Sequence, residues 1–264
     1  MKRLAFPALA LLAACAAADG ARRDVAQDLA PTGRLRAAIN LGNPVLAQKD
    51  PTRGELRGIS VDLARELGRR LAVPVELIAY EAAGKVTDAV RTGAWDIAFV
   101  AIDPARATEI AFTPPYVVIE GTYLVAADSP LRAIADVDRE GVRIAVSSKS
   151  AYDLYLTRTL KRAQLVRAPS PPASIELFVK DRLEAAAGVK QPLAELARSN
   201  PRLRVIDGRF MVIEQAMGTP IGRALGARYL REFIEEMKDS GFVARALEKS
   251  GQRDAAVAPP APKQ

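Results

Sequence analysis

The segment "WDIAFVAI" at 95–102 runs directly into "DPARATEIAFTPPY" at 103–116. A short apolar run bounded by turn residues reads as a buried strand. A Pro, an Arg and a Phe-Thr-Pro-Pro-Tyr cluster stand at its carboxyl end. Open α/β sheets bind ligands in the crevice beyond the carboxyl ends of their strands. Arg106 is therefore either an ordinary surface charge on a loop or a group facing such a crevice, and the pattern around it has to decide.

Working outward, helical and strand periods alternate. "LRAAIN" (35–40) reads as a strand, and "SVDLARELGRRL" (60–71) as a helix with Val61, Ala64, Leu67 and Leu71 on one face and Ser60 as N-cap. "PVELIAY" (74–80) is a strand, "GKVTDAVRTG" (84–93) a helix closed by Gly93, and 96–102 a strand. This order predicts parallel pairing with right-handed crossovers. After "GTYLVAA" (121–127) the pattern restarts, with strands at 142–148, 163–168, 183–189 and 203–206 separated by helices at 150–161, 172–181 and 191–200. A late strand (210–217) without an obvious partner in this second unit predicts a return to the first. Helices at 222–241 and 242–251 follow, and the Pro/Ala-rich end, 251–264, reads as a disordered tail.

Composition sets bounds on function. The 264 residues carry Lys+Arg 38 against Asp+Glu 31, a formal charge of +7, with 5% aromatic residues. The basic residues are scattered and not interleaved with aromatics, so no nucleic-acid partner is expected. "MKR" followed by "LAFPALALLAA" has the charge and length of a secretory signal, taken as 1–18, with a polar tether over 19–32. "LAAC" at 12–15 resembles a bacterial lipobox, which would lipidate Cys15; the alternative is an ordinary signal cut after "AAA" at 16–18. Either reading places the mature chain in the periplasm, lipid-anchored to a membrane only in the first. Cys15 is the only cysteine, so no disulfide is expected in the mature domain.

Four segments together resemble the family 3 extracellular solute-binding proteins, the periplasmic receptors of polar amino-acid ABC transporters: "GELRGISVDLARELGRRLAVPVELI" (54–78), "AVRTGAWDIAFVAID" (89–103), "PARATEIAFTPPY" (104–116) and "RIAVSSKSAYDLYL" (143–156). The resemblance spans roughly 33–250. It implies an α/β, two-lobed periplasmic-binding-protein architecture with two hinge crossovers and a ligand cleft between the lobes. Lobe one would comprise 33–126 plus 211–250, and lobe two 127–210. It further implies a small-molecule ligand with a carboxylate, an ABC transporter permease as partner, a monomer, and no cofactor, catalytic residue or metal. In the family, the Arg that stands where Arg106 stands binds the ligand's carboxylate, which suits a guanidinium fork. The start of the first lobe-two helix supplies the second donor, here Ser150 and Ala151, where Ser150 is also an N-cap.

The chain departs from the family pattern at several positions. Asp103 stands where Thr is common, and would accept from a ligand ammonium or pair with Arg106. Lys190, in "GVKQPL", occupies the stretch where amino-acid receptors carry an acid, and would favour an anion over an ammonium, or simply begin a helix. Asn40, Asn43 and Leu46 replace the usual aromatic wall. Tyr116 and Glu120 fall near the cleft mouth by motif position, Tyr116 as contact or packing.

An enzyme is the rival reading. The chain has no His, and outside Cys15 no thiol. "AAGKV" (82–86) is not a P-loop, since Ala79 and Val86 stand where Gly and Ser or Thr are needed. Dehydratases on this fold need a carboxyl acid in the cleft, for which Asp103 and Glu120 are the candidates. A receptor serving a signalling partner is the third reading.

Overall fold

The computed structural model describes residues 20–252 and 254–262. Residues 1–18, read from sequence as a secretory signal, and with them Cys15 lie outside the described residues. Helix α1 covers residues 20–29. The first unit then runs β1 (Leu35–Asn40), β2 (Gln48–Lys49), β3 (Leu56–Arg57), α2 (Ile59–Leu71), β4 (Val75–Tyr80), α3 (Ala83–Asp88), a 3₁₀ turn at Ala89–Thr92, β5 (Ile97–Ala101) and β6 (Ile110–Ala126). The second has β7 (Arg143–Ser147), α4 (Ala151–Thr159), β8 (Gln164–Ala168), α5 (Pro171–Lys180), β9 (Ala185–Val189), α6 (Lys190–Ser199) and β10 (Leu203–Val205). The chain returns through β11 (Met211–Pro220) to α7 (Ala224–Asp239), α8 (Phe242–Lys249) and β12 (Ala256–Val257).

The main sheet follows the path β4-β1-β5-β11-β6-β9-β7-β8, with β10 and β12 also paired to β6, while β2 and β3 pair apart from it. Pairing is parallel within each unit, β4-β1-β5 in one and β9-β7-β8 in the other. The strands between them, β11 and β6, are antiparallel to each other and to their outer neighbours β5 and β9. The architecture is thus α/β and two-lobed, with β6 and β11 as the strands that join the lobes.

Both faces of each parallel stretch are covered, as such sheets require. Ile39, Ile97 and Phe99 point into a core with Leu63, Leu67 and Phe233 of the flanking helices, while Ala38, Ala98 and Val100 meet Val86 and Trp95 on the opposite face. Lobe two repeats the arrangement: Ile144 and Val146 pack with Tyr152 and Leu156, and Ala145 packs with Phe178 and Leu193.

Four expectations are corrected. Residues 20–29 are helical where a tether was read. Leu29 is buried against Gly226, where a Cβ would sit 2.4 Å from its side chain, and Asp28 accepts from the Gly226 N–H at 2.8 Å, near the α7 start, where an acid is favoured. The end of the chain, read as disordered, pairs through β12 with Val117 and Val118 of β6, and Lys238 Nζ donates to the carbonyls of Pro115 and Pro259. Ser60 does not cap α2. Gly58, at φ 115, occupies that place, and a Cβ there would lie 2.5 Å from the Leu46 carbonyl. The expected strand 121–127 is the second half of the longer β6, which already begins at Ile110.

A buried carboxylate locks the base of lobe one. Asp96 accepts from the Arg36 guanidinium at 2.9 and 2.8 Å, from the Arg36 N–H at 2.9 Å and from Arg223 at 2.9 Å. Burial by itself would raise the Asp96 pKa, but these bonds from Arg36 and Arg223 hold it below the usual carboxylate range. Removing the acid strands two half-buried guanidinium groups, so Asp96→Ala should cost about 3 kcal/mol in denaturant unfolding. A depressed folded-state pKa stabilises fully above the unfolded value of about 4 and loses that contribution as pH falls through the folded one. The native chain should therefore lose more stability than Asp96→Ala on acidification below about pH 4.

Candidate functional site

The last residues of β1, β5, β7 and β9, namely Asn40, Ala101, Ser147 and Val189, all line one small cavity between the lobes, as the rule for open α/β sheets anticipates. Its volume is about 40 Å³. Asn43 enters from the loop after β1, Arg106 from the loop after β5, Ser150, Ala151 and Tyr152 from the start of α4, and Gln215 from β11.

Arg106 is placed by a tight turn. Asp103 Oδ1 accepts from the Ala105 N–H at 2.9 Å, and the Asp103 carbonyl accepts from the N–H groups of Arg106 and Ala107 at 3.0 and 2.9 Å. The guanidinium then folds back, donating through Nη1 to the Ala101 carbonyl at 2.8 Å and through Nη2 across the cleft to the Lys149 carbonyl at 2.9 Å. Its Nε–H is buried without a partner. Burial lowers the Arg106 pKa to about 10, a shift that nearby Asp103 opposes. The group therefore carries its charge at neutral pH, in a buried site, and among the described residues its hydrogen-bond acceptors are carbonyl oxygens.

Facing it, α4 begins at Ser150, whose Oγ accepts from the Asp153 N–H at 3.1 Å. The first N–H groups of a helix have no intrahelical partner and favour an anion. Lys149, just before, adopts φ 56, a left-handed conformation that costs a residue with a Cβ on the order of 1 kcal/mol. It is held there by its N–H on Asp153 Oδ2 at 2.7 Å and its Nζ on Asp88 at 2.6 Å. Two further buried atoms in the cavity lack partners, Asn43 Oδ1 and Gln215 Oε1.

The structure separates the residues singled out by sequence. Arg106, Ser150, Ala151 and Asn43 line this cavity together. Asp103, Lys190 and Tyr116 do not. Asp103 is buried in an ion pair with Arg158 of α4, at 2.8 Å; it acts on Arg106 through its nearby charge and does not line the cavity. Lys190 turns away to Glu120 at 2.8 Å, beside Arg209, and borders a different cavity on the β6 side. The Tyr116 hydroxyl meets Ser60 Oγ at 3.2 Å, and its ring packs edge-on to Phe99 at 6.2 Å. Sequence reasoning missed Gln215 and Arg158. A lone amide in the apolar run of β11 was the available signal for Gln215; nothing local marks Arg158, whose partner lies across the cleft.

The model of the bacterial extracellular solute-binding proteins, family 3, matches residues 35–252. The chain belongs to that family. Its fold is similar to a mutant of ArgBP from T. maritima, at 20% identity, 87% of this chain, 100% of that chain and a TM-score of 0.74. It is also similar to the solute receptor for L-cysteine of Neisseria gonorrhoeae, at 22% identity, 86% and 93% coverage and a TM-score of 0.74. The ancestral amino acid-binding protein AncCDT-1, described as a precursor of cyclohexadienyl dehydratase, aligns at 23% identity, 83% and 96% coverage and a TM-score of 0.70. At these identities the likeness is one of fold. As in other family 3 solute-binding proteins the two lobes meet across a cleft, and among the described residues no helix is long and apolar enough to cross a membrane.

The lobes are in close contact at Gly84 of α3, where a Cβ would stand 2.8 Å from the Ser148 carbonyl of lobe two. Gly84→Val should prop the cleft open, raising the radius of gyration in solution scattering while the circular dichroism spectrum stays native. Lys190→Ala, by contrast, should leave ligand affinity within about twofold in calorimetry, since Lys190 serves Glu120 and not the cavity.

Proposed function

We propose that this solute-binding protein captures a small carboxylate-bearing ligand outside the inner membrane and presents it to an ABC transporter permease. The observation that carries the proposal is the buried Arg106 guanidinium, with an unpartnered Nε–H, opposite the start of α4. A carboxylate between them accepts from Arg106 of lobe one and from first-turn N–H groups of lobe two. The anion then belongs to both lobes and favours the closed form by its differential affinity for it. The division of the chain at β6 and β11 into 33–126 plus 211–250 and 127–210 is part of the same proposal.

The carboxyl groups weighed for a dehydratase support a receptor over an enzyme. Asp103 is committed to Arg158, and Glu120 to Lys190 and Arg209, which hold its pKa below the usual range. Neither lines the cavity. A general acid must be protonated near working pH and within reach of the substrate, and Glu120 as placed is neither.

A thermal-shift screen of the chain against amino acids, keto acids, dicarboxylates and sugars tests the reading. A ligand at about a hundred times its dissociation constant adds ~2.7 kcal/mol, which for a domain of this size is a rise of roughly 5–11 °C. Arg106→Ala should abolish that rise and weaken binding by about a hundredfold or more, because it removes one partner of a buried charge pair. Unchanged affinity in the variant, or a shift with sugars alone, would refute the assignment.

A further inference from the structure

Beside the small cavity lies a second, larger chamber of about 560 Å³. The two share Gly42, Tyr152, Pro171 and Val189 as walls. They differ sharply in chemistry. The small one holds a buried guanidinium, Arg106, and three buried amides, Asn40, Asn43 and Gln215, which are 5%, 7%, 4% and 5% exposed. The large one is walled chiefly by Leu41 and Pro44 of lobe one and Ile175, Pro192, Leu193 and Leu196 of lobe two.

Size fixes what each can take. At about 40 Å³ beside about 560 Å³, the small cavity is much the narrower of the two and suits the carboxylate head. The rest of any ligand must extend past Tyr152 and Val189 into the larger chamber, whose volume is that of an ordinary small-molecule pocket. Each methylene buried there strengthens binding about fourfold. A second carboxylate would instead lose its hydration against leucine and proline.

Charge fixes the head. Arg106 supplies one positive charge, and one carboxylate matches it. An α-ammonium would bring a second positive charge into the same buried space. Among the residues lining both chambers the only acid is Glu81, on the rim of the larger one and already paired with Lys85. Asn43 and Gln215 are neutral, and a primary amide presents either its oxygen or its N–H groups. They suit a hydroxyl or keto oxygen, which needs hydrogen bonds and no counter-charge.

Resting on the receptor reading above, we infer that the ligand is a monocarboxylate with an apolar body and a keto or hydroxy group in place of the α-ammonium, its head on Arg106 and its body against Leu41, Ile175 and Leu193. Lys190, which suggested an anion from sequence, has no part in this; the preference comes from the unmatched guanidinium and the apolar chamber.

Matched pairs test it. The full chain is titrated calorimetrically with 4-methyl-2-oxopentanoate and L-leucine, with phenylpyruvate and L-phenylalanine, and with 2-oxoglutarate and L-arginine as polar controls. The inference requires each apolar keto acid to bind at least tenfold tighter than its amino-acid partner and than 2-oxoglutarate. An amino acid that binds as tightly as its keto acid, or tighter, overturns the inference and leaves the receptor reading standing, as does a preference for 2-oxoglutarate or L-arginine. Absence of binding by every one of these carboxylates overturns both. Ile175→Asp, which puts a charge on a partly exposed wall of the apolar chamber, should weaken the keto acids at least tenfold without changing the circular dichroism spectrum; unchanged affinity in a folded variant places the ligand body elsewhere and also overturns the inference.

Discussion

One buried charge organises this molecule. An ion taken from water costs several kcal/mol even after the protein relaxes around it, and the carbonyls of Ala101 and Lys149 return only part of that cost to Arg106. The two carbonyls come from different lobes, so the guanidinium is better served with the cleft closed than open. It remains under-compensated even then, because its Nε–H finds nothing. The sheet topology delivers the charge to this place: parallel strands from two lobes end at one level, and the loop after β5 carries Arg106 across their ends.

The contacts around this charge are made by the chain itself. Arg158 reaches Asp103, and Lys149 reaches Asp88, each from lobe two to lobe one. Exposed pairs of this kind contribute little individually, and the Asp103 pair is the better buried of the two. Together with the bond from the Arg106 guanidinium to the Lys149 carbonyl they define the register in which the lobes meet. That register brings Tyr152 and Val189 between the polar and the apolar space.

The strand–helix alternation, the restart after residue 127 and the return of β11 were legible because period and turn residues are local properties. The strand before Arg106 was legible for the same reason, and its carboxyl end marked the cavity. What escaped the sequence was decided by partners far along the chain. Whether 20–29 is a tether depends on Gly226, nearly two hundred residues away, and the Pro/Ala end is ordered only because β6 offers a free edge at Val117 and Val118. Asp103 and Lys190 were misplaced because a charged residue takes the nearest opposite charge, and Arg158 and Glu120 become near only in the fold. Tyr116 and Ser60 share one hydroxyl–hydroxyl bond in the core, a pairing no spacing announces.

The lobes are joined by strands that are bonded to each other side by side, β6 against β11. Such a ribbon cannot fold like a paper crease without breaking its ladder; it flexes by twisting, most cheaply where the ladder is already irregular. The register of β11 slips on either side of Ala216, and a bulge of this kind bends its strand and deepens its twist. Gln215, which enters the ligand cavity, stands at that slip. Grip and travel therefore share one stretch of backbone, so that a sequence drifting toward a new ligand through Gln215 also retunes how widely the two halves swing.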